Sequence, residues 1–412
     1  MTPGLVFTLT LALFFGIDYY VYQSVKRAYT NVWVRRIYWL ICIVGYLYML
    51  TSFLGFDRAN ESRKVVNGFA TLIMIWYVPK FLIIAILLLE DFTRLLFGLY
   101  RRVAKPEVKE LGESFVPGRR KFVQNVALGL ASIPFLGVLH GIWKGKYNYR
   151  VIKETLFYDD LPEAFDGFTI LQISDIHTGS FDDKEKIQYG VDLIKAQKAD
   201  LILFTGDMVN NQSSECIPWL DVFKGIEAPH GQFCVLGNHD YGDYMTWDSE
   251  ADKAADVEAL VRMESEIGFR NLRNENVKIE KDGQSIDLVG VENWGLRFKQ
   301  RGDLDLAMKD LEKDSFKILM SHDPTHFDEV VIHHEKKVHL TLSGHTHGWQ
   351  FGIEIPGFVK WSPSSFAYPK WAGLYQEKGR KLYVNRGFGY LAFPGRVGIW
   401  PEITLLELRR KA

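Results

Sequence analysis

The chain has 412 residues, with 49 basic and 50 acidic side chains and a formal net charge of -1. This balance excludes a strongly basic nucleic-acid-binding surface, and the length allows two or three domains. The three cysteines form no CxxC motif, so a metal site would have to draw on His, Asp and Asn side chains. Cys216 and Cys234 either pair or remain two separate buried thiols.

Four long apolar stretches dominate the N-terminal part of the chain. They run from about Leu5 to Val21, Ile37 to Phe56, Phe69 to Leu89 and Val123 to Trp143. Each approaches or reaches the ~20 residues that a helix needs to cross the hydrocarbon core of a bilayer. Because they lack the polar faces of helices in a soluble bundle, we predict an all-α transmembrane region of about four helices over residues 1–145.

The orientation in the membrane is predicted from the charges between the apolar stretches. Basic residues concentrate after the first stretch and before the fourth: Lys26, Arg27, Arg35 and Arg36, then Arg101, Arg102, Lys105, Lys109, Arg119, Arg120 and Lys121. The positive-inside rule assigns both loops to the cytoplasm. Residues 118–122 also resemble a twin-arginine export signal, with an ordinary basic helix flank as the alternative. Both interpretations predict an inner-membrane protein whose C-terminal domain is extracytoplasmic.

One ionisable residue, Lys80, falls inside the third apolar stretch. A charge at that depth is costly and often marks a functional site. The alternative, which we favour, is a residue that faces the interior of the bundle and pairs with Glu90 or Asp91.

Short apolar strands alternate with charged, helical segments over residues 150–408, which predicts an α/β domain with buried sheets. The predicted helices are Asp182 to Lys198 and about Asp248 to Ile267. The predicted strands are Phe168 to Ser174, Leu201 to Phe204, Phe233 to Leu236, Ile286 to Val291, Lys317 to Met320, His339 to Leu342, Lys381 to Val384 and Ile403 to Leu408.

Polar side chains follow five of these strands at the point where each strand ends. Ligands in open α/β sheets bind beyond the carboxyl ends of the strands, so the five groups predict a single site. Residues i and i+2 of an extended segment point to the same side, which lets Asp175 face one centre with His177, and His345 with His347. The candidate metal ligands are Asp175, His177, Asp207, Asn238, His322, His345 and His347.

Together the five groups resemble the signature of the calcineurin-like metallophosphoesterases. Residues 344–350 and 385–389 further resemble a bacterial membrane-associated branch, similar to UDP-2,3-diacylglucosamine hydrolase-like phosphodiesterases. Ile176 departs from that branch, which more often has Leu there. The resemblance implies a four-layer α/β/β/α sandwich.

The resemblance also implies a role for each residue of the site. One metal would be held by Asp175, His177 and His347, a second by Asn238, His322 and His345, and Asp207 would bridge them. His239 would be the catalytic histidine and Asp240 its orienting partner. A structural role for His239 is the alternative.

The donor set favours two divalent transition-metal ions, such as Mn, Fe or Zn, over Ca or Mg. Hydrolysis of a phosphodiester, pyrophosphate or phosphomonoester by a hydroxide that bridges the metals is the expected reaction. Arg386 and Arg396, in late loops, either bind the substrate phosphate or are solvated surface residues.

Many aromatic residues lie in the C-terminal loops, among them Trp349, Phe358, Trp361 and Phe366. Some of them would form an apolar rim against the bilayer, which indicates a lipid-linked substrate. Soluble esters are one alternative. A non-enzymatic, metal-stabilised membrane sensor or binding module is another. Cleavage of UDP-2,3-diacylglucosamine faces the cytoplasm and so conflicts with the predicted orientation. The sequence predicts neither the oligomeric state nor which of the candidate metals is bound.

Overall fold

The computed structural model describes residues 2–54, 62–103, 117–355 and 357–411. The chain divides into two compact units, Met1–His140 and Gly141–Ala412. The predicted basic loop with Lys105 and Lys109 lies outside the described residues, as do the side chains of Arg101, Arg119 and Arg120.

Long apolar helices build the N-terminal region. They are α1 (Pro3–Ala28), α2 (Val32–Leu54), α3 (Ser62–Leu72), a π-helical turn (Ile73–Tyr77), α4 (Val78–Val103) and α5 (Pro117–Trp143). Among the residues that the structure describes, four stretches are long and apolar enough to cross a membrane: Gly4–Ala28, Val32–Leu54, Asn67–Tyr100 and Lys121–Trp143. The prediction of four spanning helices is therefore confirmed. The third is longer than predicted because α3, the π-helical turn and α4 run on without a break.

Lys80 has a different partner from the one predicted. Its ammonium group contacts the carboxylate of Asp18 on α1, and both side chains are buried. Glu90 and Asp91 lie at least ten residues further along α4, about 15 Å at the rise of an α-helix. The preferred pairing with these residues is therefore wrong, because the nearer carboxylate comes from another helix.

The first sheet of the second unit has six strands in the order β1-β14-β2-β3-β4-β5. Strands β2 to β5 run parallel to one another, and β14 runs antiparallel to β2 and parallel to β1. The strands are β1 (Arg150–Tyr158), β2 (Thr169–Ile173), β3 (Leu201–Phe204), β4 (Gln232–Cys234), β5 (Arg270–Asn271) and β14 (Glu402–Arg410).

The second sheet has six strands in the order β12-β13-β9-β8-β7-β6, with β7, β8, β9 and β13 parallel. The strands are β6 (Glu275–Lys281), β7 (Gln284–Gly290), β8 (Lys317–Met320), β9 (Leu340–Ser343), β12 (Gly373–Glu377) and β13 (Arg380–Val384). A separate hairpin consists of β10 (Ile353–Ile355) and β11 (Val359–Trp361).

Three apolar layers hold this unit together. The central layer lies between the sheets and joins residues such as Leu203 and Ile318. Helices α6 (Lys184–Ala196), α7 (Leu220–Phe223) and α8 (Glu250–Glu266) cover the first sheet, and α9 (Leu304–Ala307) and α10 (Thr325–Glu329) cover the second. The four-layer α/β/β/α sandwich is thus confirmed. Cys216 and Cys234 are both buried free thiols.

Candidate metal centre

The candidate ligands lie just beyond the carboxyl ends of strands from both sheets. Asp175 follows β2, Asp207 follows β3, Asn238 follows β4, His322 follows β8 and His345 follows β9. Because these strands are parallel within each sheet, their carboxyl ends meet at one edge of the sandwich.

Five candidate ligands have a left-handed backbone conformation. Their φ angles lie between 49° and 71°, at Asp175, His177, Asp207, His345 and His347. This conformation costs of order 1–3 kcal/mol for a residue with a side chain and persists only where surrounding contacts enforce it. At Asp175 such contacts include two hydrogen bonds, from its own N–H to the Gly206 carbonyl and from His345 N–H to its carboxylate.

In the described part of the chain, two groups of three side chains each offer ligand atoms that lie within 4.8 Å of one another. Asp175, His177 and His347 form the first group. His177 Nε2 lies 3.0 Å from His347 Nε2, which lies 3.2 Å from Asp175 Oδ1. Ligand atoms this close to one another must share a proton or a cation. The distances suit three ligands of one metal ion.

Asp207, His322 and His345 form the second group. A single carboxylate oxygen, Asp207 Oδ2, lies 3.1 Å from His322 Nε2 and 3.6 Å from His177 Nε2 in the first group. Asp207 is therefore positioned between the two groups. His345 presents Nδ1 to the site, 3.3 Å from His322 Nε2.

The electrostatics of the site favour bound cations. Burial alone would raise the pKa of Asp207, but nearby histidines, above all His322, hold it well below its usual value. Burial would lower the pKa of His322, yet the Asp207 carboxylate raises it to about 10. The carboxylates are thus ionised at neutral pH, and the proton on His322 occupies a position suited to a metal ion.

A buried oxygen without a partner supports the same fit. Asn238 Oδ1 is buried and has no hydrogen-bond partner among the described residues, while its Nδ2 donates to Tyr244 Oη at 2.8 Å. An unpaired buried carbonyl costs about 1–3 kcal/mol unless something coordinates it. Two carboxylates, four imidazoles and one amide oxygen fit a pair of divalent transition-metal ions.

Backbone carbonyls orient two of the imidazoles. His177 Nδ1 bonds to the Val209 carbonyl at 3.1 Å, and His322 Nδ1 bonds to the Thr205 carbonyl at 2.7 Å. A ring nitrogen that donates to a carbonyl leaves Nε2 unprotonated in the neutral imidazole, as a metal ligand must be.

His239 lies beside the site, half-buried, with its ring centroid 5.0 Å from that of His177. Its Nδ1 bonds to the Asn210 carbonyl at 2.7 Å. The Asp240 carboxylate instead accepts N–H groups of Asp207, Met208, Val209 and Gly237. The prediction that Asp240 orients His239 is therefore corrected: Asn210 takes that place, and Asp240 holds the turn that carries Asp207.

Arg386 and Arg396 are buried and bonded to protein groups. Arg386 pairs with Glu402 and Glu354, and Arg396 donates to the carbonyls of Arg386, Gly387 and Gly389. Arg396 Nη2 also lies 3.2 Å from His347 Nδ1. Neither guanidinium is placed to bind a substrate phosphate, which corrects that prediction and also its surface alternative. Their contacts support the loop next to the candidate metal ligands.

Sequence reasoning missed an aromatic and basic rim around the second group. The Tyr368 hydroxyl lies 2.9 Å from His345 Nε2, and Phe298 packs edge-on against the same imidazole. Tyr244 packs against the His239 ring with centroids 4.5 Å apart. The exposed Arg297 lies over the Tyr368 ring at 5.8 Å. Only Tyr244, five residues after His239, lies near enough to a motif to have been noticed.

Two family models match the chain. One, described as calcineurin-like phosphoesterase, matches residues 168–349. The other, described as probable calcineurin-like phosphoesterase, transmembrane domain, matches residues 4–146.

Three relatives illustrate the similarity. The uncharacterized metallophosphoesterase YkuE of Bacillus subtilis is 32% identical over 60% of this chain and 82% of its own. The uncharacterized metallophosphoesterase Cj0846 of Campylobacter jejuni is 24% identical over 99% of both chains. A transmembrane protein with metallophosphoesterase domain from Danio rerio is 26% identical over 76% of this chain and 69% of its own. The chain therefore belongs to the calcineurin-like metallophosphoesterase family, as a metal-dependent phosphoric ester hydrolase with an N-terminal transmembrane region.

Proposed function

We propose that this protein hydrolyses a phosphodiester, pyrophosphate or phosphomonoester carried on a lipid, at a centre of two divalent metal ions. The position of Asp207 between the two ligand groups is the observation that carries the proposal. One carboxylate oxygen within reach of both groups is the arrangement that a pair of metals needs to act on one phosphoryl group.

The ligand roles follow from the two groups. Asp175, His177 and His347 would hold one ion, and His322, His345 and Asn238 would hold the other, with the Asp207 carboxylate within reach of both. Bound there, the ions supply Lewis-acid polarisation of the phosphoryl group and a water molecule of lowered pKa. Mn, Fe and Zn are the metals that suit the imidazole-rich donor set.

His239 supplies the proton that the leaving oxygen needs. Its Nδ1 is held by the Asn210 carbonyl, so Nε2 is the atom that can transfer a proton. The ring packs against the exposed Tyr244 and is only half-buried, which gives a substrate access to it. A positioned general acid contributes typically 10²–10⁴-fold to the rate.

The exposed Arg297 is the cation that we assign to the substrate phosphate in place of the two buried arginines. It lies over Tyr368, whose hydroxyl contacts His345. A guanidinium there would bind a phosphate oxygen that is not in contact with the metals.

The proposed location is the inner membrane, with the catalytic domain extracytoplasmic. Lys26, Arg27, Arg35 and Arg36, at the end of α1 and the start of α2, support a cytoplasmic position for this connection. A C-terminal fusion to a reporter enzyme that folds only outside the cytoplasm tests the orientation. An inactive reporter on a stable fusion would contradict it.

The test of the mechanism uses the full chain in detergent, loaded with Mn²⁺. Metal content is measured beside hydrolysis of p-nitrophenyl phosphate, bis-p-nitrophenyl phosphate and a dialkyl phosphodiester, whose leaving group is an alkoxide. We expect two metals per chain in the wild type. Asp207→Asn should lose metal and activity together.

His239→Ala should keep its metal, and His333→Ala, an exposed histidine, serves as the matched control. Because p-nitrophenolate leaves readily without a proton, the loss in His239→Ala should be larger for an ester with an alkoxide leaving group, by about tenfold or more. Equal losses for both leaving groups would contradict the role of His239 as proton donor. A metal-loaded wild type without turnover of any ester would contradict the proposed function.

A further inference from the structure

The hairpin β10–β11 has an inverted distribution of polar and apolar side chains. Ile353 pairs with Trp361 and Ile355 with Val359, so these four side chains share one face. Ile353, Ile355 and Trp361 are exposed on that face. Phe358, at the turn, is 86% exposed.

The charged groups of the same hairpin bond to the protein, although Glu354 is only half-buried and Lys360 is exposed. Glu354 pairs with the buried Arg386 at 2.6 Å. Its cross-strand neighbour Lys360 donates to the Ala372 carbonyl at 2.5 Å. A two-stranded hairpin in contact with water normally places its apolar side chains inward, so this surface is built to contact something apolar.

The base of the hairpin adjoins the end of the last apolar helix. Gly352 N–H donates to the Val397 carbonyl at 2.9 Å, and Arg396 N–H donates to the Gly141 carbonyl at 3.2 Å. Gly141 belongs to the final turn of α5, whose candidate span ends at Trp143. Trp143 is exposed and lies under the ammonium group of Lys144, an arrangement typical of the membrane interface.

The hairpin is also joined to the metal centre. It begins six residues after the candidate ligand His347. Arg386, which holds Glu354, precedes Gly387, and a Cβ atom on Gly387 would lie 2.9 Å from Asp175 Cβ. A surface that contacted the apolar face would therefore lie close to the ligand loops.

We propose that the apolar face of the hairpin, with Phe358 at its tip, inserts into the outer boundary of the bilayer and presents lipid-borne phosphate esters to the metal centre. The inference of insertion rests on the hairpin and the end of α5, and the outer side of the bilayer rests on the proposed orientation. The role in substrate selection rests on the proposed function.

Insertion is tested with the full chain in phosphatidylcholine vesicles. An environment-sensitive fluorophore is attached at Phe358→Cys, and at Leu306→Cys as a control in an exposed position on α9. The three native cysteines are buried. Lipids with a quencher on the acyl chain should quench the label at 358 far more than the label at 306.

Equal quenching at the two positions would overturn insertion. Energy transfer between labels at 358 on different copies, without lipid quenching, would also overturn it and show that a second copy covers the face.

Substrate selection is tested with phosphatidic acid of long and of short acyl chains. Burying one phenylalanine side chain is worth enough to change partitioning by about tenfold or more. Phe358→Ser should therefore lower the preference for long chains by about that factor, with p-nitrophenyl phosphate hydrolysis unchanged. An unchanged preference in an inserted, active protein would overturn the selection role. A wild-type protein that is inactive on every ester would instead refute the proposed function. Membrane insertion would then still be decided by the quenching experiment.

Discussion

Arg396 offers a sharp test of the difference between binding a substrate and supporting the site. Its side chain is fully buried and donates to three backbone carbonyls, those of Arg386, Gly387 and Gly389. All three accept from the one atom Nη2, and the Gly387 carbonyl also accepts the Glu402 N–H. A lysine keeps the charge, but its side chain is too short to place the ammonium group where Nη2 lies. Arg396→Lys should therefore leave the carbonyls of Arg386 and Gly389 without a donor.

Each buried carbonyl without a donor costs about 1–3 kcal/mol, so the free energy of unfolding should fall by roughly 2–6 kcal/mol. At about 2–4 °C per kcal/mol for a domain of this size, the apparent melting temperature should fall by about 4–24 °C. His347 also loses the guanidinium beside its Nδ1, and loss of such outer partners typically weakens metal binding by about 10–100-fold.

The assay compares wild type, Arg396→Lys and the exposed control Arg270→Lys in detergent at one heating rate. Apparent melting temperature, metal content and the KM for p-nitrophenyl phosphate are measured on the same samples. We expect a lower melting temperature and a lower metal affinity, with KM unchanged at saturating metal. A KM raised tenfold or more, with melting temperature and metal content unchanged, would refute it and restore Arg396 as a substrate-binding residue.

Three further predictions follow from other buried charges. Burial raises the pKa of Glu264 to about 7 from 4.5, so the folded state binds the proton more tightly than the unfolded state. The free energy of unfolding should therefore fall by up to about 3 kcal/mol as the pH rises from about 4.5 to 7, and should stay level above that pH. The gain in melting temperature of Glu264→Gln over wild type should therefore grow from pH 5 to 7 and then stay level, and a pH-independent difference would contradict it. Asp18→Asn alone, or Lys80→Met alone, should lower the melting temperature in detergent more than the double variant does, because each single variant leaves an unpaired buried charge. Losses that add up in the double variant would contradict the pairing of these two residues. Because Asp207 holds a proton on His322, loading Zn²⁺ at neutral pH should release at least one proton, measured by calorimetry in buffers of different ionisation enthalpy; binding enthalpies that do not depend on the buffer would contradict this.

The sequence alone determined the features that depend on local pattern. Runs of apolar residues predicted four membrane spans, because the thickness of the bilayer sets the length of a spanning helix. The alternation of buried strands with helices predicted the α/β domain. Asp175, Asp207 and His322 each lie two or three residues beyond the end of a strand, so the edge where parallel strands end was enough to predict that they meet.

Only the tertiary structure decided which groups these residues contact. Lys80 pairs with Asp18 rather than with a carboxylate on its own helix, and Asp240 holds a backbone turn rather than the neighbouring His239. The residues next to Arg396 in the sequence have the composition of a surface loop. In the structure its side chain is enclosed by backbone carbonyls of residues 386–389, which follow a strand of the second sheet. The sequence of the hairpin alternates apolar and charged residues, and this alternation does not decide which of its two faces is turned towards the protein. Which face is exposed depends on Arg386, about 30 residues further along the chain, because an ion pair inside the protein keeps Glu354 turned inward.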